Sequence, residues 1–329
     1  MMIQLVERFP AQLVESLEIG RKATITKHSS PIRNVYVSGL GGSGIGANFV
    51  AEFIRNECKI PFQVGKGYEI QKSINKFTLA IVSSYSGNTE ETLTAMDALL
   101  QTGAKVVCIA SGGKVIEKAK ELGLDYILVP GNWPSPRACL GFSLVQQLFV
   151  LNALGIISSR SIKQIEGSVK LLEKNQEEIR RKAAKIAQTL YGKIPVIYTT
   201  DRSEAVAVRF RQQINENAKM LCWHHVVPEM NHNELVGWRI PNENLAVVYL
   251  RNKDDYQRNQ VRIEINKEII KDYTKTIIEI FSKGKNQIEQ AMYLVHLGDY
   301  ITCYLADLRG VDSIEVKAID FLKGELAKV

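Results

Sequence analysis

Five short runs of apolar and β-branched residues alternate with helical patterns over the first 130 residues, and this alternation leaves few architectures open. The runs lie at 34–38 (NVYVS), 62–64, 79–83 (LAIVS), 105–110 (KVVCIA) and 126–129. Within them apolar residues follow one another instead of alternating with polar ones, the pattern of strands buried on both faces. Helical patterns at 45–56, 90–102 and 114–122 separate them. Strand–helix repetition of this kind predicts a doubly wound α/β domain: a parallel sheet with helices on both sides.

The second half repeats the scheme with weaker punctuation. Strands are predicted at 196–199, 245–250 and 276–281, and helices at 204–220, 257–273 and 287–309, with a last helix at 316–327. Between the halves lies an uncharged stretch, 138–157, and then a charged helical connector, 161–190. A length of 329 residues suits about two domains. The expected boundary falls near residue 153, giving a first α/β domain with an N-terminal helix over 1–153. The connector and a second α/β domain, ending in a C-terminal helix, fill 154–329.

Charge and cysteine usage narrow the function classes. Lys plus Arg number 42 against 35 Asp plus Glu, a net charge of +7. The basic residues are dispersed and no basic block carries interleaved aromatics, so nucleic acid is not an expected partner. The uncharged stretch contains Ser143, Gln146, Gln147, Asn152 and two glycines, which suits a core helix better than a membrane span. The amino end lacks the basic-then-apolar run of a signal peptide. Cys58, Cys108, Cys139, Cys222 and Cys303 are odd in number, widely spaced and without a CxxC, which points to a reducing cytoplasm.

The chemistry concentrates at two turns. GLGGSG at 39–44 follows a strand and opens a helix, formally a dinucleotide fingerprint. A nicotinamide cofactor would also need an acidic residue at the end of the second strand to hold the ribose. There the chain reads Val64-Gly-Lys-Gly67, with a lysine in that place, so no such cofactor is expected. Glycines at a helix N-terminus expose backbone N–H groups at the positive end of the helix dipole, and any phosphate can bind there. Gly41, Gly42 and Ser43 are therefore candidate phosphate ligands. The third strand ends in SYSGNT at 84–89, which adds the hydroxyls of Ser84, Ser86 and Thr89 at a second strand-to-helix turn. Adjacent strand ends of a doubly wound sheet can wrap two such turns around one ligand. The competing reading is that these hydroxyls only cap the following helix.

GGSG followed by SYSGNT resembles the sugar isomerase (SIS) fold, whose members bind phosphosugars. Further segments, Pro136-Arg-Ala138, NENAK at 215–219, PEMNHN at 228–233 and IDFLK at 319–323, resemble in the same order the motifs of the bifunctional phosphoglucose/phosphomannose isomerases. The resemblance spans nearly the whole chain. It implies two SIS domains, a homodimer and interconversion of glucose 6-phosphate or mannose 6-phosphate with fructose 6-phosphate through a cis-enediol, with no metal or other cofactor. In one respect the chain departs from the family. Val316, in Ser313-Ile-Glu-Val-Lys317, stands where a threonine associated with tolerance of both epimers is expected, which weakens the case for mannose 6-phosphate.

Aldose–ketose isomerisation requires ring opening, proton transfer between C1 and C2, and stabilisation of an enediolate. Glu216 lies on a polar stripe with Arg209, Gln212 and Lys219, and by spacing alone an ion pair with Lys219 competes with a site role. The resemblance makes Glu216 the base. His232 sits in a loop-like segment and can both give and take a proton near neutral pH. The resemblance gives it ring opening and places it across the subunit contact. Lys323 interrupts an apolar stripe of Val316, Ile319 and Leu326, so it either snorkels to solvent or serves a site. The resemblance pairs it with the histidine. Arg137 follows the fifth strand, where ligands of α/β sheets bind, and a guanidinium suits a developing enediolate. CWHH at 222–225 would alternate faces on a strand, and no other Cys/His cluster completes a tetrahedral set, so no metal is expected. A non-catalytic SIS sensor of phosphosugars is the alternative, weakened by the lack of a leftover segment for a DNA-binding domain.

Overall fold

A computed structural model describes residues 1–328. By packing the chain divides into two bodies. One comprises Arg8–Lys174 and Gly284–Met292; the other comprises Met1–Glu7, Asn175–Lys283 and the chain from Tyr293 onward.

In the first body a five-stranded parallel sheet carries β1 (Asn34–Ser38), β2 (Phe62–Gly65), β3 (Thr78–Ser83), β4 (Lys105–Ala110) and β5 (Asp125–Leu128) in the order β2-β1-β3-β4-β5. All residues of β3 are buried, and β1 and β4 are buried beyond their first residue. The doubled burial agrees with their unbroken apolar runs. The helices are α2 (Phe9–Lys22), α3 (Gly41–Ile54), α4 (Glu90–Leu100), α5 (Gly113–Glu121) and α6 (Leu140–Ala153), after the short α1 (Met2–Glu7) of the other body. One core layer joins Ala80, Val82, Val106 and Cys108 of the sheet to Met96, Leu99, Val115 and Ile116 of α4 and α5.

The uncharged stretch forms α6, and nearly all of it is buried. No described helix is long and apolar enough to cross a membrane. The amide donors of α6 have partners: Gln146 Nε2 donates to Ser16 O at 2.8 Å and Gln147 Nε2 to Ser143 Oγ at 3.1 Å. A donated bond of this kind lowers the cost of burying an amide N–H.

The second body holds a four-stranded parallel sheet in the order β7-β6-β8-β9, from β6 (Ile194–Thr200), β7 (Trp223–Val227), β8 (Leu245–Arg251) and β9 (Ile277–Phe281). Strand β7 contains the CWHH histidines and pairs parallel with β6, with His224 opposite Ile197 and His225 opposite Tyr198. Helices α8 (Glu204–Ala218), α9 (Gln257–Ile270), α10 (Gln287–Arg309) and α11 (Lys317–Leu326) complete the element list with the long α7 (Arg160–Leu190).

By packing the two bodies divide inside α7, at 174/175, whereas the sequence pattern puts the domain boundary near residue 153. The first half of α7 stays with the first body through contacts such as Arg21 Nη2–Glu166 Oε1, 2.6 Å. The second half belongs to the other body, where Lys283 Nζ meets Glu178 Oε2 at 2.5 Å and Gln176 Nε2 reaches Tyr300 Oη at 3.4 Å. A charged helix with no turn signal conceals such a division. The stripe of α11 is uncovered: α11 has no buried residue, and Ile319, Phe321, Leu322 and Leu326 are exposed.

His296 lies wholly buried on α10 with its ring edge against Tyr300, centroids 4.9 Å apart. Burial pushes its pKa down from 6.5 to about 3. The folded chain therefore keeps a neutral imidazole while the unfolded chain takes up a proton below pH 6.5, and stability is lost as the pH falls from 6.5 toward 3. Urea midpoints measured between pH 7 and 4.5 should fall less steeply for His296→Gln than for the native chain; equal slopes would refute the assignment.

Candidate functional site

The strand order of the first sheet selects the location before any side chain is considered. Order 2-1-3-4-5 reverses direction between β1 and β3, and ligands of doubly wound sheets bind outside the carboxyl ends of the strands at this switch point. The two loops flanking it are GLGGSG after β1 and SYSGNT after β3.

Helix α3 begins at Gly41 itself, four residues earlier than predicted from its apolar pattern, so Gly41, Gly42 and Ser43 are its first turn. Its N-cap, Leu40, offers no side-chain cap, and Gly41 has φ +52°. A side chain at Gly44 would come within 2.4 Å of Gly39 O. These glycines are required because the turn folds back on itself.

The second turn does not behave as a simple helix cap. Thr89 is the N-cap of α4, yet its hydroxyl makes no cap bond and pairs with Ser84 Oγ at 3.0 Å. Gly87 has φ +69°, and a Cβ there would lie 1.8 Å from Gly112 O. The Tyr85 N–H donates to Ser43 Oγ at 3.2 Å, so the two turns are bonded to each other. Ser86 is exposed, and its Oγ accepts from Asn88 N at 3.3 Å.

Arg137 joins this cluster. It occupies a 3₁₀ turn, Pro136–Ala138, and is buried. A Cβ on Gly42 would meet Pro136 O at 3.2 Å, so the arginine's turn rests directly on the glycine turn. Gln12 fixes its far side, donating to Ala138 O and accepting from Gly141 N, both at 2.8 Å. The carboxyl ends of β1 and β3 thus bring together hydroxyls and the first turn of a helix, with the arginine's turn beside them, a set suited to a phosphorylated, oxygen-rich ligand. Lys66 follows β2 where a ribose-binding carboxylate would stand, with its Cε 3.5 Å from a Cβ placed on Gly44.

The second sheet has its own switch point, between β6 and β8, but its cradle is filled from within. The Asp255 carboxylate accepts from Asn252 N at 2.8 Å, Asn252 Nδ2 at 3.1 Å and Thr200 Oγ1 at 3.2 Å. A built-in carboxylate takes the donors that a phosphate would use, so the two sheets are not equivalent binding sites.

The second body carries the remaining candidates. Glu216 is half-buried near the end of α8. Lys219, at φ +54°, ends that helix and donates through Nζ to the carbonyls of Glu216 at 2.6 Å and Glu315 at 2.8 Å. The clip ties the end of α8 to the segment that leads into α11. Arg209, placed by its spacing on a polar stripe, does not face solvent. It is buried against Asp299, Nη2–Oδ2 2.6 Å.

His232 ends a 3₁₀ turn, Glu229–His232, and is exposed. The turn beneath it is firmly held. Met230 is fully buried and Asn231 Nδ2 donates to Asn266 Oδ1 at 2.7 Å. Glu234 Oε1 accepts from Tyr198 Oη at 2.6 Å and Trp223 Nε1 at 2.9 Å. Lys323 lies exposed on α11. Sequence patterns singled out neither Tyr85, which stands between two serines and bonds to distant segments, nor Asp255, which bonds to nearby Asn252 and distant Thr200.

Two parallel sheets, the first with hydroxyl turns on both sides of its switch point, define a double-SIS protein. The SIS domain family matches residues 30–157, and the family described as bacterial phospho-glucose isomerase C-terminal SIS domain matches residues 179–326. The bifunctional phosphoglucose/phosphomannose isomerase of Caldicellulosiruptor bescii is 37% identical, covering 100% of this chain and 99% of that one. The protein of the same name from Aquifex aeolicus is 36% identical, covering 92% and 93%. The C-terminal domain of glucosamine-fructose-6-phosphate aminotransferase from Francisella tularensis shares the fold at a TM-score of 0.74 and 12% identity, covering 95% of this chain and 97% of that one. The chain belongs to the bifunctional phosphoglucose/phosphomannose isomerase family.

Proposed function

We propose that this protein is an aldose–ketose isomerase that interconverts glucose 6-phosphate, and less readily mannose 6-phosphate, with fructose 6-phosphate through a cis-enediol. The observation that carries the reading is the pair of mutually bonded hydroxyl turns at the β1/β3 switch point with the arginine's turn resting on Gly42. The backbone N–H groups of Gly41 and Gly42 and the hydroxyls of Ser43, Ser84, Ser86 and Thr89 hold the phosphate. With the phosphate fixed, the sugar's carbonyl end is confined to a small volume, which converts a bimolecular encounter into an oriented one.

Glu216 carries the proton between C1 and C2. Arg137 faces the enediolate oxygen, where charge develops. His232 and Lys323 act on ring opening, one taking the proton of the anomeric hydroxyl and the other giving a proton to the ring oxygen as the C1–O5 bond breaks. The proton leaves one carbon and returns to its neighbour, so the reaction needs no redox cofactor.

We assign the working form as a homodimer in a reducing cytoplasm, with His232 supplied across the subunit contact. Two surfaces support the dimer. The loop after His232 exposes Val236 and Ile240, and α11 exposes Phe321 and Leu322. Apolar side chains left bare on such elements favour burial against a second copy.

The test is a coupled assay that follows fructose 6-phosphate formed from each aldose phosphate, with and without a chelator. Turnover of glucose 6-phosphate unaffected by the chelator is expected, with a lower rate on mannose 6-phosphate. Ligand-stabilised melting without turnover of any hexose phosphate would remove the isomerase reading and leave a phosphosugar sensor.

A further inference from the structure

We propose that Tyr85 is a positioning residue that sets Arg137 against the reacting end of the sugar by bracing the 130–133 segment that leads into its turn. The proposal rests on the role given to Arg137 above and adds a residue that acts through it.

The hydrogen bonds of Tyr85 are of fixed sense. Its hydroxyl donates to Pro130 O at 2.8 Å and accepts from Trp133 N at 3.3 Å. A carbonyl can only accept and an amide N–H can only donate, so one hydroxyl satisfies both and fastens two backbone groups of the connection after β5. Four residues beyond Trp133 comes Arg137. The same residue anchors two more loops through its backbone. Its N–H donates to Ser43 Oγ at 3.2 Å, and its carbonyl accepts from Ser111 N at 2.9 Å and Ser111 Oγ at 2.7 Å. Tyr85 therefore links the phosphate turns, the turn after β4 and the approach to the arginine.

The brace meets a well-packed segment. Trp133 is buried, edge-on to Phe142 with centroids 5.7 Å apart, and the guanidinium of Arg8 covers its ring at 4.6 Å. Gln12 secures Ala138 and Gly141 beyond the arginine. The arginine's turn is thus held at both ends, by Tyr85 before it and by Gln12 after it. Phenylalanine at 85 would keep the ring but release the Pro130 carbonyl and the Trp133 N–H together. Small misplacements of a group that meets the transition state cost rate far more than they cost ground-state binding.

The test uses the full-length protein and fructose 6-phosphate. Tyr85→Phe should lower kcat about tenfold and leave KM within about twofold. Affinity for a hydroxamate analogue of the enediolate should fall by a similar factor, while affinity for inorganic phosphate stays unchanged. On an Arg137→Lys background, the same substitution should cost less than about twofold, because residues that act as a unit are not additive. Native kcat in Tyr85→Phe, a loss that adds in full on the Arg137→Lys background, or phosphate affinity falling with kcat would each overturn the link. Should Tyr85→Phe fail to fold, Arg8→Gln loosens the same segment from its solvent side. It is expected to lower kcat, with the loss vanishing on the Arg137→Lys background; an unchanged kcat or an additive loss overturns the proposal. Arg137→Lys alone separates this from the parent reading: native turnover there would remove the arginine's role and the brace with it.

Discussion

Glu216→Gln should lower turnover of glucose 6-phosphate about 10³-fold while phosphosugar binding survives. Glutamine keeps the shape of the side chain and loses only the ability to take a proton, and a positioned general base contributes about 10²–10⁴ in rate. Binding should persist because the phosphate is assigned above to other residues, those of the turns after β1 and β3. Helix α8 should also persist, since Lys219 Nζ donates to the backbone carbonyl of Glu216, which glutamine keeps. Two measurements check this together: the coupled assay for turnover, and hydrogen–deuterium exchange at the substrate's C1 and C2 followed by NMR. Both should disappear in step. If Glu216→Gln retains a tenth of native turnover, or exchanges solvent deuterium at the native rate, the base is another residue.

The first sheet was legible almost strand by strand, because a parallel strand buried on both faces must be apolar throughout, and few other elements are. The second sheet's strands β6, β8 and β9 were visible for the same reason. Strand β7 was harder to place, since Trp223 to Val227 mixes histidines with exposed positions and its pairing with β6 is decided by tertiary structure. The two turns after β1 and β3 were legible because their features are local: glycines that fold a helix N-terminus back and hydroxyls two or three residues apart. What could not be read is what depends on contacts between distant segments. Arg209 has the spacing of a surface residue, and only α10 turns it into half of a buried pair. Asp255 sits in a polar loop like many others, yet it fills the second cradle. The break inside α7 leaves no trace in a helical pattern that continues across it. The stripe of α11 was correctly seen as apolar, but a stripe does not say what covers it.

Asp299→Ala should cost about 3–5 kcal/mol of stability, the usual consequence of removing one partner from a buried ion pair. Both side chains are more than nine-tenths buried, Arg209 at 4% and Asp299 at 7% exposure. Gln213, one turn after Arg209, also donates to Asp299, Nε2–Oδ1 3.3 Å. Burial pushes the Asp299 carboxyl up, against the pull of Arg209 and Gln213, so the pair works against a desolvation cost. Alanine removes the acceptor and leaves the guanidinium buried without its carboxylate. Replacing both partners by apolar residues, Arg209→Met with Asp299→Leu, should recover most of the loss, because neither charge then needs solvation. The pair also bears on the placement of Glu216, the base proposed above. A second link, Asn217 Nδ2 to Thr302 Oγ1 at 2.9 Å, joins α8 to α10 beside Glu216, so the two rungs together fix where α8 presents that carboxylate. The apolar double substitution should therefore restore the urea midpoint more fully than it restores kcat, since packing returns while the directional bonds to α10 do not. A double variant no more stable than Asp299→Ala would show that the cost is lost packing and not an orphaned charge.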